Sequence, residues 1–130
     1  MMKIILGLMS LLLVTAKPER VIMSGWLSAY GHSPTVGTIE YRKSVGDLPQ
    51  DITKYDGLIA VKDCGLVGKD ATLYTASGKF HVKVFDCADR SGSDGTVSWM
   101  ESNSIVAEVG YFLWDSYPEI VGAKAKVSIP

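Results

Sequence analysis

Residues 57–64 read GLIAVKDC and residues 80–87 read FHVKVFDC, so each segment ends an apolar run in the dipeptide Asp-Cys. A loop that contains glycine follows each of them. The likeness indicates a pseudo-twofold pair of strands. Because successive side chains of a strand point to opposite faces, each Asp faces away from the Cys that follows it. If the two cysteines meet on one side, the two carboxylates therefore lie on the other.

Short apolar bursts between turn residues continue along the rest of the chain. Within them apolar and polar residues mostly alternate, which is the period of half-buried strands, and no long helical pattern is present. In the last burst Ala125 and Val127 fall on one face while Lys124 and Lys126 fall on the other. We predict six strands, at residues 21–30, 58–63, 71–75, 80–87, 105–114 and 123–129. Six short strands in one domain indicate an all-β barrel.

Three of the breaks between these strands carry a distinct signal. Ser77-Gly78 is typical of a hairpin turn, in which Gly adopts the positive φ that the turn requires. Ser98 and Glu101 have the spacing of a capping box, so we predict one short helix that starts near Ser98. Residues 35–52 predict an irregular excursion, and such an excursion often borders a binding groove.

The N-terminal residues 1–16 carry one Lys and an apolar stretch, and they end in the small-residue form that signal peptidase needs. A membrane anchor is the alternative, but the stretch is shorter than the about 20 apolar residues that cross a bilayer. We predict a signal peptide cleaved after Ala16. The protein would then be secreted, to the periplasm or the extracellular space, with no stable membrane anchor after cleavage.

Cys64 and Cys87 are the two cysteines of the chain. In an exported protein an oxidising environment favours a disulfide between them. Two free thiols are one alternative. Zinc is another, because His32 and His81 complete a set of four ligands, although their spacing matches no compact zinc finger.

Charge and motifs limit the function. The formal net charge is −1, and no run of basic residues offers a site for a polyanion, so we predict no nucleic-acid partner. No phosphate loop, helical metal motif or catalytic-triad order stands out. We predict no cofactor and no metal.

The opening and Asp-Cys segments are similar to a known family. Residues 25–31 (GWLSAYG), 57–64 and 82–88 (VKVFDCA) resemble, in order and spacing, the double-psi β-barrels of the barwin, expansin and rare lipoprotein A group. The resemblance implies a six-stranded double-psi barrel at residues 24–130, after a lead-in at residues 17–23.

The resemblance also implies a class of function. Members of this group are exported, bind cell-wall or other polysaccharides, and in some branches cut them. The cutting members use an Asp in a stretch that leads into a helix, and here Ser98 stands at that position. A hydroxyl cannot protonate a leaving glycosidic oxygen near neutral pH, which weighs against that chemistry.

Asp63 and Asp86 are the candidate catalytic residues, because glycoside cleavage generally uses two carboxylates at a set separation. The alternative is that each accepts backbone amides in the loops of the barrel. Aromatic faces cover sugar rings, and charged residues border a groove. The candidate ligand-binding residues are Tyr30, Tyr41, Asp89, Arg90, Trp114 and Tyr117.

The sequence therefore favours a secreted protein that binds cell-wall or extracellular polysaccharide without cutting it. One alternative is a lytic transglycosylase or glycosidase that uses Asp86 as general acid, with Asp63 assisting. A second alternative is a protein-binding module, such as a protease inhibitor. Fold resemblance alone does not choose among them.

Overall fold

The computed structural model describes residues 19–88 and 95–130. The predicted signal peptide and two of the candidate groove residues, Asp89 and Arg90, lie outside these ranges. Within the two ranges, no helix is both long enough and apolar enough to span a membrane.

Six strands form the body of the part of the chain that the structure describes. They are β1 (Val21–Ala29), β2 (Gly57–Val61), β3 (Asp70–Thr75), β4 (Gly78–Cys87), β5 (Ile105–Val109) and β6 (Lys124–Ile129). They close into a barrel in the order β1-β5-β2-β4-β3-β6. β1 runs parallel to β5 and β2 runs parallel to β4, while all other neighbours are antiparallel. The predicted all-β barrel is confirmed, and its mixed topology is compatible with a double-psi barrel.

The two segments that end in Asp-Cys lie side by side. Val61 in β2 is opposite Cys87 in β4. Cys64 lies in a 3₁₀ turn, Cys64–Leu66, and forms a disulfide with Cys87 across 4.9 Å between the Cα atoms. The predicted disulfide is confirmed. Because each sulfur is bonded to the other, neither cysteine is a free thiol or a zinc ligand.

The core has two parts. The side chains that point into the barrel are apolar and include Leu27, Ile59, Val84, Val109 and Val127. On the outer faces of β2 and β4, a second cluster is formed by Ile39, Leu48, Leu58, Ala60 and Phe85. β2 is therefore buried on both faces, because a helix covers it from outside.

Within the described residues, three α-helices accompany the barrel: α1 (His32–Ser44), α2 (Thr96–Ser102) and α3 (Tyr111–Ser116). α1 occupies most of the segment that the sequence predicts to be irregular. Its apolar period is weak because Thr35 and Ile39 are its buried residues. Gly37 lowers its helix propensity further, by about 1 kcal/mol relative to Ala. α1 is therefore stabilised mainly by packing against β4. This contact joins distant residues, so the local sequence pattern does not predict it.

The main differences from the predictions concern β5 and α2, while the ends of the other strands shift by one or two residues. The predicted strand at residues 105–114 ends at Val109, and after Gly110 the chain forms α3. The helix predicted near Ser98 is confirmed as α2, but the capping box is wrong because α2 begins at Thr96 and no side chain caps it. The predicted hairpin is confirmed, since Thr75 lies opposite Gly78.

Candidate binding cleft and the Asp86 network

Asp86 lies near the end of β4, and both of its carboxylate oxygens accept hydrogen bonds. Oδ2 accepts one from the Tyr30 hydroxyl at 2.6 Å, and Oδ1 accepts one from Arg42 Nη2 at 3.0 Å. Tyr30 follows β1 and Arg42 lies on α1, so the carboxylate joins three elements that are distant in the sequence. Hydrogen bonds to ionised groups are about twice as strong as neutral ones. Asp86 therefore anchors α1 to the barrel.

The partners of Asp86 have further bonds of their own. Arg42 Nη1 pairs with Asp47 Oδ2 at 2.9 Å. Burial would lower the pKa of Arg42, but the hydrogen bonds to Asp86 and Asp47 raise it. The Tyr30 hydroxyl lies 3.0 Å from Thr38 Oγ1. Burial and the bond to Asp86 raise the pKa of Tyr30 to about 12. Tyr30 is therefore a neutral proton donor and Arg42 a cation at neutral pH.

Asp63 has a different environment from Asp86. It is exposed, and its Oδ1 accepts a hydrogen bond from the Gly65 amide at 2.8 Å. It thereby caps the 3₁₀ turn that carries Cys64. The described residues that bond Asp63 and Asp86 are different, so no shared partner couples the two carboxylates.

Trp114 on α3 is joined to this network. Its indole Nε1 donates to the Tyr30 carbonyl oxygen at 3.0 Å. Three of the candidate residues, Trp114, Tyr30 and Asp86, therefore form one continuous hydrogen-bonded chain. The Trp114 ring also packs edge to face on Tyr111, with 4.9 Å between the ring centroids. Tyr111 in turn contacts the His32 ring at 4.3 Å, so these rings hold α3 against the start of α1.

A cleft of about 180 Å³ opens between α1, α3 and the start of β2. An apolar cavity of about 150 Å³ holds one benzene ring, so this cleft has room for one six-membered ring. Phe112 stands at the cleft and is 54% exposed. The apolar walls are formed by Ile52, Tyr55, Leu58, Phe112 and Leu113, and Asp56 contributes a carboxylate.

Asp56 is positioned by backbone bonds to β4. Its Oδ2 accepts from the His81 amide at 2.7 Å, and its own amide donates to the His81 carbonyl oxygen at 2.7 Å. Among residues 19–88 and 95–130, its Oδ1 accepts no hydrogen bond. One oxygen of an exposed carboxylate is therefore left to accept a hydrogen bond from a ligand.

A charged cluster holds Tyr55 in the wall of the cleft. The Tyr55 hydroxyl donates to Asp70 Oδ1 at 3.1 Å, and Lys83 Nζ donates to the same oxygen at 3.0 Å. Burial would raise the pKa of Asp70, but the bonds from Lys83 and Tyr55 outweigh it and lower the pKa. The His81 ring packs on the Tyr55 ring at 5.0 Å between centroids. The wall is thus stabilised before any ligand arrives.

The remaining candidate residues lie elsewhere. Tyr41 is exposed on α1 beside the Arg42 guanidinium, 5.4 Å from ring centroid to Cζ. Tyr117 packs edge to face on Phe80 at 4.9 Å. Neither Tyr41 nor Tyr117 lines the cleft, and Asp86 does not line it either.

Sequence reasoning did not single out the cleft residues. Tyr55 and Asp56 immediately precede β2, whose first residue is Gly57, and an aromatic-Asp-Gly sequence at the start of a buried strand was the available signal. Phe112 was hidden in an apolar run that predicts a strand. Its exposure follows from α3, which turns the chain away from the barrel.

Comparison of the chain with models of protein families, with curated proteins and with solved structures found no match.

Proposed function

We propose that this protein binds a carbohydrate without cutting it, and that the cleft holds one sugar ring of the glycan. The observation that carries the proposal is the combination of a cleft of one-ring volume, a half-exposed Phe112 and an exposed Asp56 carboxylate. An aromatic ring packs on the apolar face of a pyranose. A carboxylate oxygen accepts the hydroxyl protons at the edge of the same ring. The two kinds of contact thus bind both the apolar face of a sugar ring and the hydroxyl groups at its edge.

The pre-formed walls favour binding of this kind. Tyr55 is already fixed by Asp70 and Lys83, and Asp56 by the backbone of His81. A ligand therefore has few side chains to immobilise, which reduces the entropic cost of association.

The arrangement of Asp86 favours a structural role over a catalytic one. A general acid needs a proton to donate to the glycosidic oxygen. Asp86 instead accepts hydrogen bonds from Tyr30 and Arg42 on its two oxygens. Ser98, at the position of the acid in cutting relatives, is an exposed residue within α2.

Kinship and location belong to the same proposal. The closed barrel with two parallel strand pairs supports a relation to the double-psi barrels of the barwin, expansin and rare lipoprotein A group. The Cys64–Cys87 disulfide supports secretion, because disulfides persist in oxidising compartments. We assign the protein to the periplasm or extracellular space, with cell-wall or extracellular polysaccharide as partner.

The test is a pull-down with insoluble peptidoglycan, chitin and cellulose, in which bound protein is measured. We expect one of these glycans to retain the protein and Phe112→Ala to reduce the affinity by about ten-fold or more, since stacking on an aromatic ring is lost. Trp99→Ala is the matched control, because Trp99 is 47% exposed and lies outside the cleft. Equal losses in the two variants would contradict the cleft as the binding site.

Released sugar is measured in the same samples, beside an Asp86→Asn variant. We expect no release from either protein. Release that disappears in Asp86→Asn would make Asp86 a catalytic acid and overturn the non-catalytic proposal.

A protein partner is the second candidate, and the apolar lining of the cleft favours it. An aromatic or aliphatic side chain of a partner would fill the same volume as a sugar ring. Retention by no glycan, together with Phe112-dependent binding to a protein, would select this candidate.

A further inference from the structure

Lysines that are scattered along the sequence meet on one outer wall of the barrel. Lys124 and Lys126 point outward from β6, since Ala125 and Val127 between and beyond them are buried. Lys126 is opposite Tyr74 of β3, and Tyr74 is opposite Lys79 of β4. The three lysines therefore lie on β6 and β4, on either side of β3. We call the surface formed by Lys79, Lys124, Lys126, Tyr74 and Trp26 the basic wall.

The charge of the basic wall is not neutralised. Among residues 19–88 and 95–130, Lys79, Lys124 and Lys126 form no ion pair with a carboxylate. Strands β1, β3 and β6 contain one acidic residue, Asp70, and Lys83 is bound to it. The wall is thus a positive surface on a chain whose formal net charge is −1.

Two exposed aromatic rings accompany the lysines. Trp26 of β1 is 46% exposed and lies opposite Lys124, while Tyr74 is 38% exposed. Lys126 Nζ lies 4.7 Å from the centroid of the Tyr74 ring. A shallow depression of about 340 Å³ lies beside the Tyr74 ring and is also lined by Ser24, Lys124 and Lys126. Cations and ring faces therefore alternate along an open surface.

We propose that the basic wall binds an acidic polysaccharide, a sugar chain that carries carboxylate, sulfate or phosphate groups. Its anionic groups contact Lys79, Lys124 and Lys126, and its ring faces pack on Trp26 and Tyr74. On β6 the two lysines are two residues apart, which is roughly 7 Å along a strand. An extended chain of linked rings with repeating charges matches such a flat and periodic surface.

Nucleic acids and lipids fit the wall less well. Domains that bind nucleic acid through their charge generally have a pI above about 9, and the pI of this chain is about 6.1. The headgroups of a fluid bilayer keep no fixed spacing, whereas the charges of a linked sugar chain recur at a fixed distance.

The basic wall is separate from the cleft of the proposed function. β6 and β2 are three places apart in the closed order of six strands, so they lie on opposite sides of the barrel. The two surfaces can therefore be tested independently, and the failure of one does not imply the failure of the other.

The experiment measures binding of the purified protein to polygalacturonate, with highly methyl-esterified polygalacturonate as a neutral probe of the same backbone. We expect binding to the acidic polymer, weakened by added NaCl because salt screens the contacts, and little binding to the ester. Lys124→Gln with Lys126→Gln should lower the affinity about ten-fold or more, as two lysine contacts with an anionic surface are lost. Trp26→Ala should lower it as well.

The control variant carries Lys43→Gln with Lys69→Gln, which removes the same charge away from the wall, and its affinity should stay close to that of the wild type. Equal loss in the two lysine pairs would overturn the proposal, because net charge alone would then explain binding. So would equal binding to the two polymers. Binding as strong to single-stranded DNA or to phosphatidylglycerol vesicles as to polygalacturonate would also overturn it.

Discussion

Tyr30 by itself contacts three elements of the molecule, β4, α3 and α1. Its hydroxyl donates to Asp86 on β4, its carbonyl oxygen accepts from Trp114 on α3, and its ring packs on Phe85 at 5.0 Å between centroids. The hydroxyl also meets Thr38 of α1. Because its pKa is raised to about 12, the protonated form is the one that the folded protein stabilises.

Tyr30→Phe tests this residue. The variant should lose about 1.5 kcal/mol of unfolding free energy at pH 7, since a hydrogen bond to a charged group disappears. The folded pKa lies above the unfolded value of about 10, so the stabilisation is complete below pH 10 and is lost as pH rises towards 12. Urea unfolding is measured from pH 7 to pH 11.5 for both proteins. The difference in unfolding free energy between the wild type and Tyr30→Phe should therefore decrease above pH 10. A difference that stays constant across this pH range would contradict a stabilising role for the protonated Tyr30 hydroxyl.

At the scale of elements, the approach of α3 to the start of β2 shapes the cleft. A Cβ on Gly57 would lie 2.5 Å from the Leu113 Cβ, so these elements pack closely only because residue 57 has no side chain. Leu113 is fully buried, and both residues line the cleft. Gly37 on α1 is in the opposite situation, with nothing within 4 Å of an added Cβ.

The variants Gly57→Ala and Gly37→Ala compare the effect of an added methyl group on stability at a crowded and at an open position. Gly57→Ala should lower the unfolding free energy by about 1 to 3 kcal/mol through overpacking. Gly37→Ala should raise it by up to about 1 kcal/mol, because Ala has the higher helix propensity. Urea unfolding at one pH measures both. An unchanged unfolding free energy in Gly57→Ala would mean that α3 moves freely away from β2.

At the scale of the whole molecule, one covalent link joins the two halves of the Asp-Cys repeat. The Cys64–Cys87 bridge closes a loop with a sequence separation of 23 that contains β3 and most of β4. The bridge therefore reduces the number of conformations that residues 64–87 can adopt in the unfolded state.

Cys64→Ala with Cys87→Ala should lower the unfolding free energy by about 3 kcal/mol, the entropic value for a loop of this length. Equilibrium unfolding in urea gives the difference, and wild-type protein in reductant is the control that should approach the double variant. A loss below about 1 kcal/mol would show that the unfolded chain keeps this loop closed without the bridge.

Much of the fold could be predicted because strand signals are local. The alternation Lys124-Ala125-Lys126-Val127 and the turn at Ser77-Gly78 indicate strands and a hairpin without any distant partner. α1 and α3 could not be predicted in this way. α1 depends on the Asp86–Arg42 ion pair and α3 on the packing of Leu113 against Gly57, and both contacts join residues that are far apart in the sequence.

Among the described residues, none of the candidates named from the sequence lines the cleft. Tyr30, Asp86 and Trp114 were chosen separately, and the hydrogen bonds that join them were not foreseen. Asp56 and Phe112 were missed, because their importance comes from the cleft between three elements and not from a motif.

By itself the sequence determined six strands, their alternating faces and the cysteines available for a bridge, because each depends on neighbours within a few residues. Apart from the β3–β4 hairpin, tertiary structure alone decided which strands are adjacent, and it also decided where the cleft opens and how Lys79 comes to lie near Lys126. Closure of the barrel brings β4, β3 and β6 together, so charges that form no run in the chain become one surface.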